Sequence, residues 1–177
     1  MILSNRKKRF HLKLNKLKIQ GNQEDSDKCQ EIGNQSPIKK EIFQIEEHLF
    51  LSGYQGAKNL LLLKSQKISH IINLTAHKCS NIHQGLVQYS SFCFADNEKF
   101  DLSKHLEPVL EIIRNKILNG QTVLVHCQKG ISRAPSVIMA FLIKDRGFSY
   151  DKALEFVQKK NPKAYPNFGF LTHLQRM

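Results

Sequence analysis

The stretch VLVHCQKGISRAPSVIMAFL, residues 123–142, decides how the chain folds. QTVLVH (121–126) is a short, continuously apolar run, the pattern of a strand buried on both faces. Cys127 follows at once, and Arg133 closes a tight loop that contains Gly130. From Arg133 the period becomes helical: in RAPSVIMAFLIKDRG, Pro135 falls in the first turn, where a missing N–H does no harm, and Gly147 sits just past the end. A buried strand passing through a loop into a helix is the repeating unit of an α/β sheet. In such sheets ligands bind beyond the carboxyl ends of the strands, which is where residues 127–133 lie.

Outward from this unit, strands alternate with helices. EIFQIEEHLFLSG contains two short strands, 41–45 and 48–51, closed by Gly53. AKNLLLLKSQKI (57–68) has the apolar spacing of a helix, and ISHIINLT (68–75) is a β-branched, buried strand. After a polar loop, VQYSSFCF (87–94) alternates as a strand should and stops at Asp96. DLSKHLEPVLEIIRNKILNG is a helix with Ser103 as its cap, apolar at 106, 109, 110, 113 and 117, and ended by Gly120. A further helix is capped by Ser149 and stopped by Pro162, and a last one starts after Asn167. The fold class expected is α/β, a central, mostly parallel sheet flanked by helices.

A length of 177 residues suits one ordinary domain plus a tail. We expect residues 1–38 to be a basic, disordered tail and linker, and 39–177 to be one folded domain. Residues 20–37 are rich in Gln, Asn, Asp, Ser and Gly, with no apolar period. The formal net charge is +12, and residues 1–40 supply half of it through ten Lys or Arg against four acids. Such a field favours anionic partners without choosing among them. The longest apolar run, Val137 to Ile143, is seven residues, against the ~20 that span a bilayer, and MILSNRKKRF lacks the apolar core of a secretory signal. Four irregularly spaced cysteines suit a reducing compartment, so a cytoplasmic location is expected, with RKKR also readable as a nuclear-import signal.

The loop carries the chemistry. Backbone N–H groups of Gln128, Lys129, Gly130, Ile131, Ser132 and Arg133 would curl around a concavity at the first turn of the next helix, an anion nest with the helix dipole aimed into it. A thiol at its rim is favoured as thiolate by those groups and by Arg133. Thiolate plus bound phosphate means attack on phosphorus, with the Arg133 fork holding two oxygens at once. No metal or other cofactor is needed, and His48, His70, His77, His83, His105 and His173 show no metal spacing.

HCQKGISRAPS resembles the HCxxGxSR signature of the dual-specificity protein phosphatases, within the cysteine-dependent tyrosine phosphatase superfamily. YQGAKN, ISHIINLT, FADNEKFDL and AYPNFGFLTHL are similar to other segments of that family, so the likeness covers residues 41–177 and not 1–40. The resemblance implies a phosphocysteine intermediate on Cys127 and a general acid at Asp96, 31 residues upstream, with Glu98 and Asp101 as rivals. It implies that the Ser132 hydroxyl donates to the sulfur as the intermediate is hydrolysed, and that Asn167 braces the phosphate loop; a helix-capping role is the other reading of Ser132 and of Asn167. His126 is expected to support the loop backbone. Cys79 and Cys93 are read either as packing residues or as redox partners of Cys127. Two departures stand out: Ala134 and Pro135 follow the arginine where many relatives have Ser and Ala, and Lys129 is the one basic residue inside the loop, which disfavours inositol lipids.

The chain lacks long insertions, so the family pattern implies a shallow cleft that admits phosphotyrosine and phosphoserine or phosphothreonine. RKKRFHLKL, through residues 6–14, resembles a docking peptide for MAP kinases; a solvated tail or import signal are its other readings. Nucleic acid is not expected as a partner. Two rival functions stay open: a catalytically idle phosphopeptide-binding module of the same fold, and a phosphatase acting on RNA or lipid phosphate.

Overall fold

In the computed structural model, which describes residues 41–177, β1 (Ile42–Glu46) and β2 (Leu49–Gly53) form an antiparallel hairpin. Two short helices follow, α1 (Tyr54–Lys58) and α2 (Leu60–Ser65), then β3 (His70–Asn73) and β4 (Gln88–Ser91). The long α3 (Ser103–Leu118) leads to β5 (Val123–Cys127), and α4 (Arg133–Arg146), α5 (Tyr150–Lys160) and α6 (Phe168–Leu174) complete the chain. The five strands form one sheet in the order β1-β2-β5-β3-β4, parallel except for β1 at the edge. The expected α/β sandwich is therefore present. The boundary expected at 38/39 and the docking reading of residues 6–14 lie outside the described residues.

Period-two alternation places the nucleophile candidate. Val123, Val125 and Cys127 project into a core that also holds Leu51, Ile72 and the inner faces of α3 to α6, while Leu124 joins Phe50, Ile71, Ala57 and Leu63 on the opposite face. All five residues of β5 are buried, and full burial of such a side chain contributes about 1.5–3 kcal/mol, so the central strand is a rigid support. Its neighbours are β2 and β3, from which the chain departs in sequence on either side. Cys127 thus stands at a switch point of the sheet, opposite Gly53 on one side and one residue beyond the Asn73–His126 pair on the other.

Three local expectations are corrected. The helix read over 57–68 is broken at Asn59, whose backbone is extended and whose side chain accepts the Leu62 N–H at 3.2 Å; Asn prefers to start a helix rather than sit inside one. The regular part of the strand read over 87–94 ends at Ser91. Ser103 does not cap α3: it is the first helical residue, and its own N–H donates to Asp101. Ser149 and Asn167 do cap α5 and α6, accepting from Lys152 N and Phe170 N, and Gly147 takes the left-handed conformation (φ 64°) after α4. Among the described residues no helix is long and apolar enough to cross a membrane.

Candidate active site

Between β5 and α4 the chain makes a tight loop that can close only because residue 130 is glycine. Gly130 has φ +71°, and a Cβ there would stand 2.8 Å from Gly53 N and 2.9 Å from Ser52 C. Outer partners fix three loop carbonyls. Gln128 O accepts from Tyr54 N at 3.1 Å, Gly130 O from Asn161 Nδ2 at 2.9 Å, and Ile131 O from Tyr165 N at 2.7 Å. A trans peptide points its N–H opposite its C=O, so the N–H groups of Lys129, Ile131 and Ser132 face away from those partners. Asn161, itself buried and accepting from Lys163 N, is a support that the sequence does not announce. An Asn-Pro pair ending a helix is its only signal, and that reads as a stop.

A cavity of about 540 Å³ opens over this loop. Cys127 and Arg133 line it although they are only 1% and 5% exposed. Cys127 Sγ accepts a hydrogen bond from Gly130 N at 3.2 Å. The Arg133 guanidinium is anchored by Nη1 donating to Phe94 O at 3.3 Å. Its Nε lies 3.3 Å from Asp96 Oδ2, an ion-pair distance, but the N–H is not aligned on that oxygen and has no hydrogen-bond acceptor among the described residues. A buried guanidinium N–H without an acceptor is expensive, and Arg133 lines the same cavity as Cys127. Behind the loop, His126 is buried, donates from Nδ1 to Cys127 O at 3.4 Å and stacks on Tyr54; burial lowers its pKa to about 4, so the ring is neutral.

Residues 49–177 match the dual specificity phosphatase catalytic domain. This chain belongs to the dual-specificity phosphatase family. It is 34% identical to a probable rhodanese domain-containing dual specificity protein phosphatase of Dictyostelium discoideum, over 74% of this chain and 27% of that one. It is 31% identical to dual specificity protein phosphatase 1B of Arabidopsis thaliana, over 77% of this chain and 81% of that one. Among solved structures, the human tyrosine phosphatase-like serine/threonine/tyrosine-interacting protein superposes with a TM-score of 0.72 at 30% identity, covering 77% of this chain and 94% of that one. The chain therefore spans little more than a quarter of the Dictyostelium relative and most of the Arabidopsis one.

In this family member, Asp96, Ser132 and Asn167 form one hydrogen-bonded group, of which Asp96 and Ser132 line the cavity. Ser132 Oγ donates to Asp96 Oδ1 at 2.6 Å, Asn167 Nδ2 donates to the same oxygen at 3.0 Å, and Asn167 N donates to Ser132 Oγ at 3.1 Å. The Ser132 hydroxyl, which the resemblance assigns to the sulfur when the intermediate is hydrolysed, donates to Asp96 in this structure. Asn167 caps α6, one of the two readings given for it, and donates to Asp96; the side chain that donates to a loop carbonyl is that of Asn161. The segment after Asp96 also sits against α6, since a Cβ on Gly169 would be 2.4 Å from Glu98 O.

Of the three carboxylates weighed as acid, Asp96 lines the cavity. Asp101 instead bonds Ser103 and Lys104, and these, the Ser103 hydroxyl first, hold its pKa down to about 2, which makes it a poor proton donor. Glu98 does not border the cavity. Cys79 and Cys93 are free thiols, Cys79 packed and Cys93 exposed.

Proposed function

We propose that the chain hydrolyses phosphate monoesters on proteins, at phosphotyrosine and at phosphoserine or phosphothreonine, through a phosphocysteine on Cys127. The single observation that carries this reading is that Arg133, whose buried Nε–H has no hydrogen-bond acceptor among the described residues, lines the same cavity as Cys127 and Asp96. A phosphoryl oxygen would satisfy that N–H. In the first step the Cys127 sulfur attacks phosphorus, the ester P–O bond breaks, and Asp96 gives its proton to the departing oxygen. In the second, water attacks phosphorus, Asp96 takes the water's proton, and the S–P bond breaks to release phosphate and thiolate. Arg133 and the N–H groups of residues 128–132 hold the nonbridging oxygens as charge shifts onto them. A positioned acid of this kind contributes about 10²–10⁴-fold.

Cys127→Ser is expected to abolish turnover of an aryl phosphate while still binding inorganic phosphate; turnover by that variant would refute the mechanism. An idle phosphopeptide-binding module would have no use for Cys127, an acid at Asp96 and the Ser132 bond that holds it, so wild-type turnover also separates that rival. Assaying a 5′-phosphorylated RNA and an inositol phospholipid alongside phosphopeptides tests the remaining one. For the basic segment 6–14, with Leu12 and Leu14, we propose a docking role toward a MAP kinase. A chain lacking residues 1–38 should then lose activity on kinase-derived substrates alone, and equal rates would dismiss docking.

A further inference from the structure

The cavity has a second wall that the chemistry above does not use, the turn 75–79 that follows β3. Buried Asn73 builds it: Oδ1 accepts from Thr75 N at 2.9 Å, and Nδ2 donates to Cys79 O at 2.7 Å and Asn81 Oδ1 at 2.8 Å. Lys78 N and Cys79 N both donate to Thr75 O at 2.8 Å. Asn73 is in register with His126, the residue before the nucleophile, so the sheet itself sets where the turn stands relative to Cys127.

The tip of this turn carries two basic residues. His77 and Lys78 are exposed and line the cavity together with Lys129 of the phosphate loop. Among the described residues these three side chains make no hydrogen bond or ion pair, whereas Lys104 and Lys144, also exposed, are paired with carboxylates. Asp96, the acid on the wall, is already shared among Ser132, Asn167 and Arg133. A volume of about 540 Å³ falls in the ~300–1,000 Å³ range that takes whole ligands, so it extends beyond the one phosphoryl group that Arg133 seats. Counting basic residues only within the loop misses the contribution of a turn some fifty positions upstream.

We infer that Lys78, with His77 and Lys129, forms a second anion subsite, and that the preferred substrate is a phosphopeptide with an anionic side chain, a second phosphate above all, beside the phosphorylated residue. This rests on the phosphatase reading. Arg133 stands on the loop after β5 and Lys78 on the turn after β3, which suits two anions carried on neighbouring residues of an extended chain, no more than ~7 Å apart along the backbone.

The test uses the full chain and one phosphopeptide sequence in four forms, the flanking residue being Lys, Ala, Glu or a phosphorylated residue, with an aryl phosphate and inositol bisphosphate lipid vesicles alongside. We expect kcat/KM to rise in that order, with about a tenfold gain from Ala to the second phosphate at low ionic strength that shrinks as salt is added. Lys78→Glu should bring that ratio down to about one, and Lys78→Arg should keep it. Aryl phosphate turnover with a flat flank profile, or an unchanged ratio in Lys78→Glu, overturns the subsite and leaves the phosphatase standing. Faster turnover of the vesicle lipid than of any peptide overturns the substrate class. No turnover of the aryl phosphate removes the phosphatase reading and the subsite with it.

Discussion

Asn161 Nδ2 donates to the carbonyl of Gly130 at 2.9 Å, joining the end of α5 to the loop between Cys127 and Arg133 across 31 residues. Both groups are buried. Removing the donor leaves a buried carbonyl unpaired, which costs about 1–3 kcal/mol. Asn161→Leu is therefore expected to lower the unfolding free energy measured in urea by that amount and to reduce kcat/KM on an aryl phosphate, because the Gly130–Ile131 peptide, whose Ile131 N–H faces away from Asn161, is no longer held. Lower stability with unchanged kinetics would limit Asn161 to a part in folding.

Two glycines with the same backbone sign separate conformation from space. Gly147 has φ +64° and open space within 4 Å of where a Cβ would stand, whereas Gly130 has φ +71° and β2 backbone at 2.8 Å from that position. Gly147→Ala should cost about 1 kcal/mol of stability and leave turnover alone. Gly130→Ala carries the same conformational cost and also pushes the loop off Gly53, so turnover should fall by more than about tenfold at a concentration of urea where both proteins remain folded. Equal activity in the two variants would show that the loop tolerates displacement.

The sheet and the loop were legible because their signals are local. A continuous apolar run gives β5, a period change gives α4, and the Cys-to-Arg loop between them needs no information from elsewhere. Capping was legible where one side chain decides it, as at Ser149 and Asn167, and misread where two neighbours compete, as at Asp101 and Ser103: the carboxylate, two positions earlier, takes the N–H. What stayed hidden is long-range. Asn161 is one asparagine among several until the fold sets it against Gly130. Lys78 is one lysine among many until Asn73 folds its turn beside the cavity. The Ser132 hydroxyl could face the sulfur or the acid, and adjacency in sequence favours neither; the structure shows it bonded to Asp96.

That orientation gives Ser132 a distinct kinetic signature. With its hydroxyl on Asp96 Oδ1, Ser132 would, with Asn167, position the acid of the proposed mechanism, so their loss should matter most when the leaving oxygen is basic. Ser132→Ala and Asn167→Ala should reduce kcat on a phosphothreonine peptide by about tenfold or more, and on an activated aryl phosphate much less, with Asp96→Asn showing the same contrast at about 10²–10⁴-fold. A Ser132→Ala defect of equal size on both substrates, with phosphocysteine accumulating on mixing with the aryl phosphate, would return the hydroxyl to the sulfur.

His126 makes the fold sensitive to mild acid. Burial lowers its pKa from 6.5 to about 4, so between those values the unfolded chain binds a proton that the folded chain refuses. Stability from this residue is thus fully present above pH 6.5 and falls as the pH drops toward 4, by roughly 3 kcal/mol at most. His70 shifts in the same direction, through burial first and Lys116 second, so the wild-type slope contains both. The decisive measurement is the difference: urea unfolding of wild type and His126→Asn at several pH values from about 7.5 to about 4.5. The variant should lose stability at the upper end, since the stack on Tyr54 is gone, yet fall less steeply toward the lower end, so that the two curves converge. Parallel curves would mean that the ring is protonated in the folded chain and that the strand beneath Cys127 accommodates the charge.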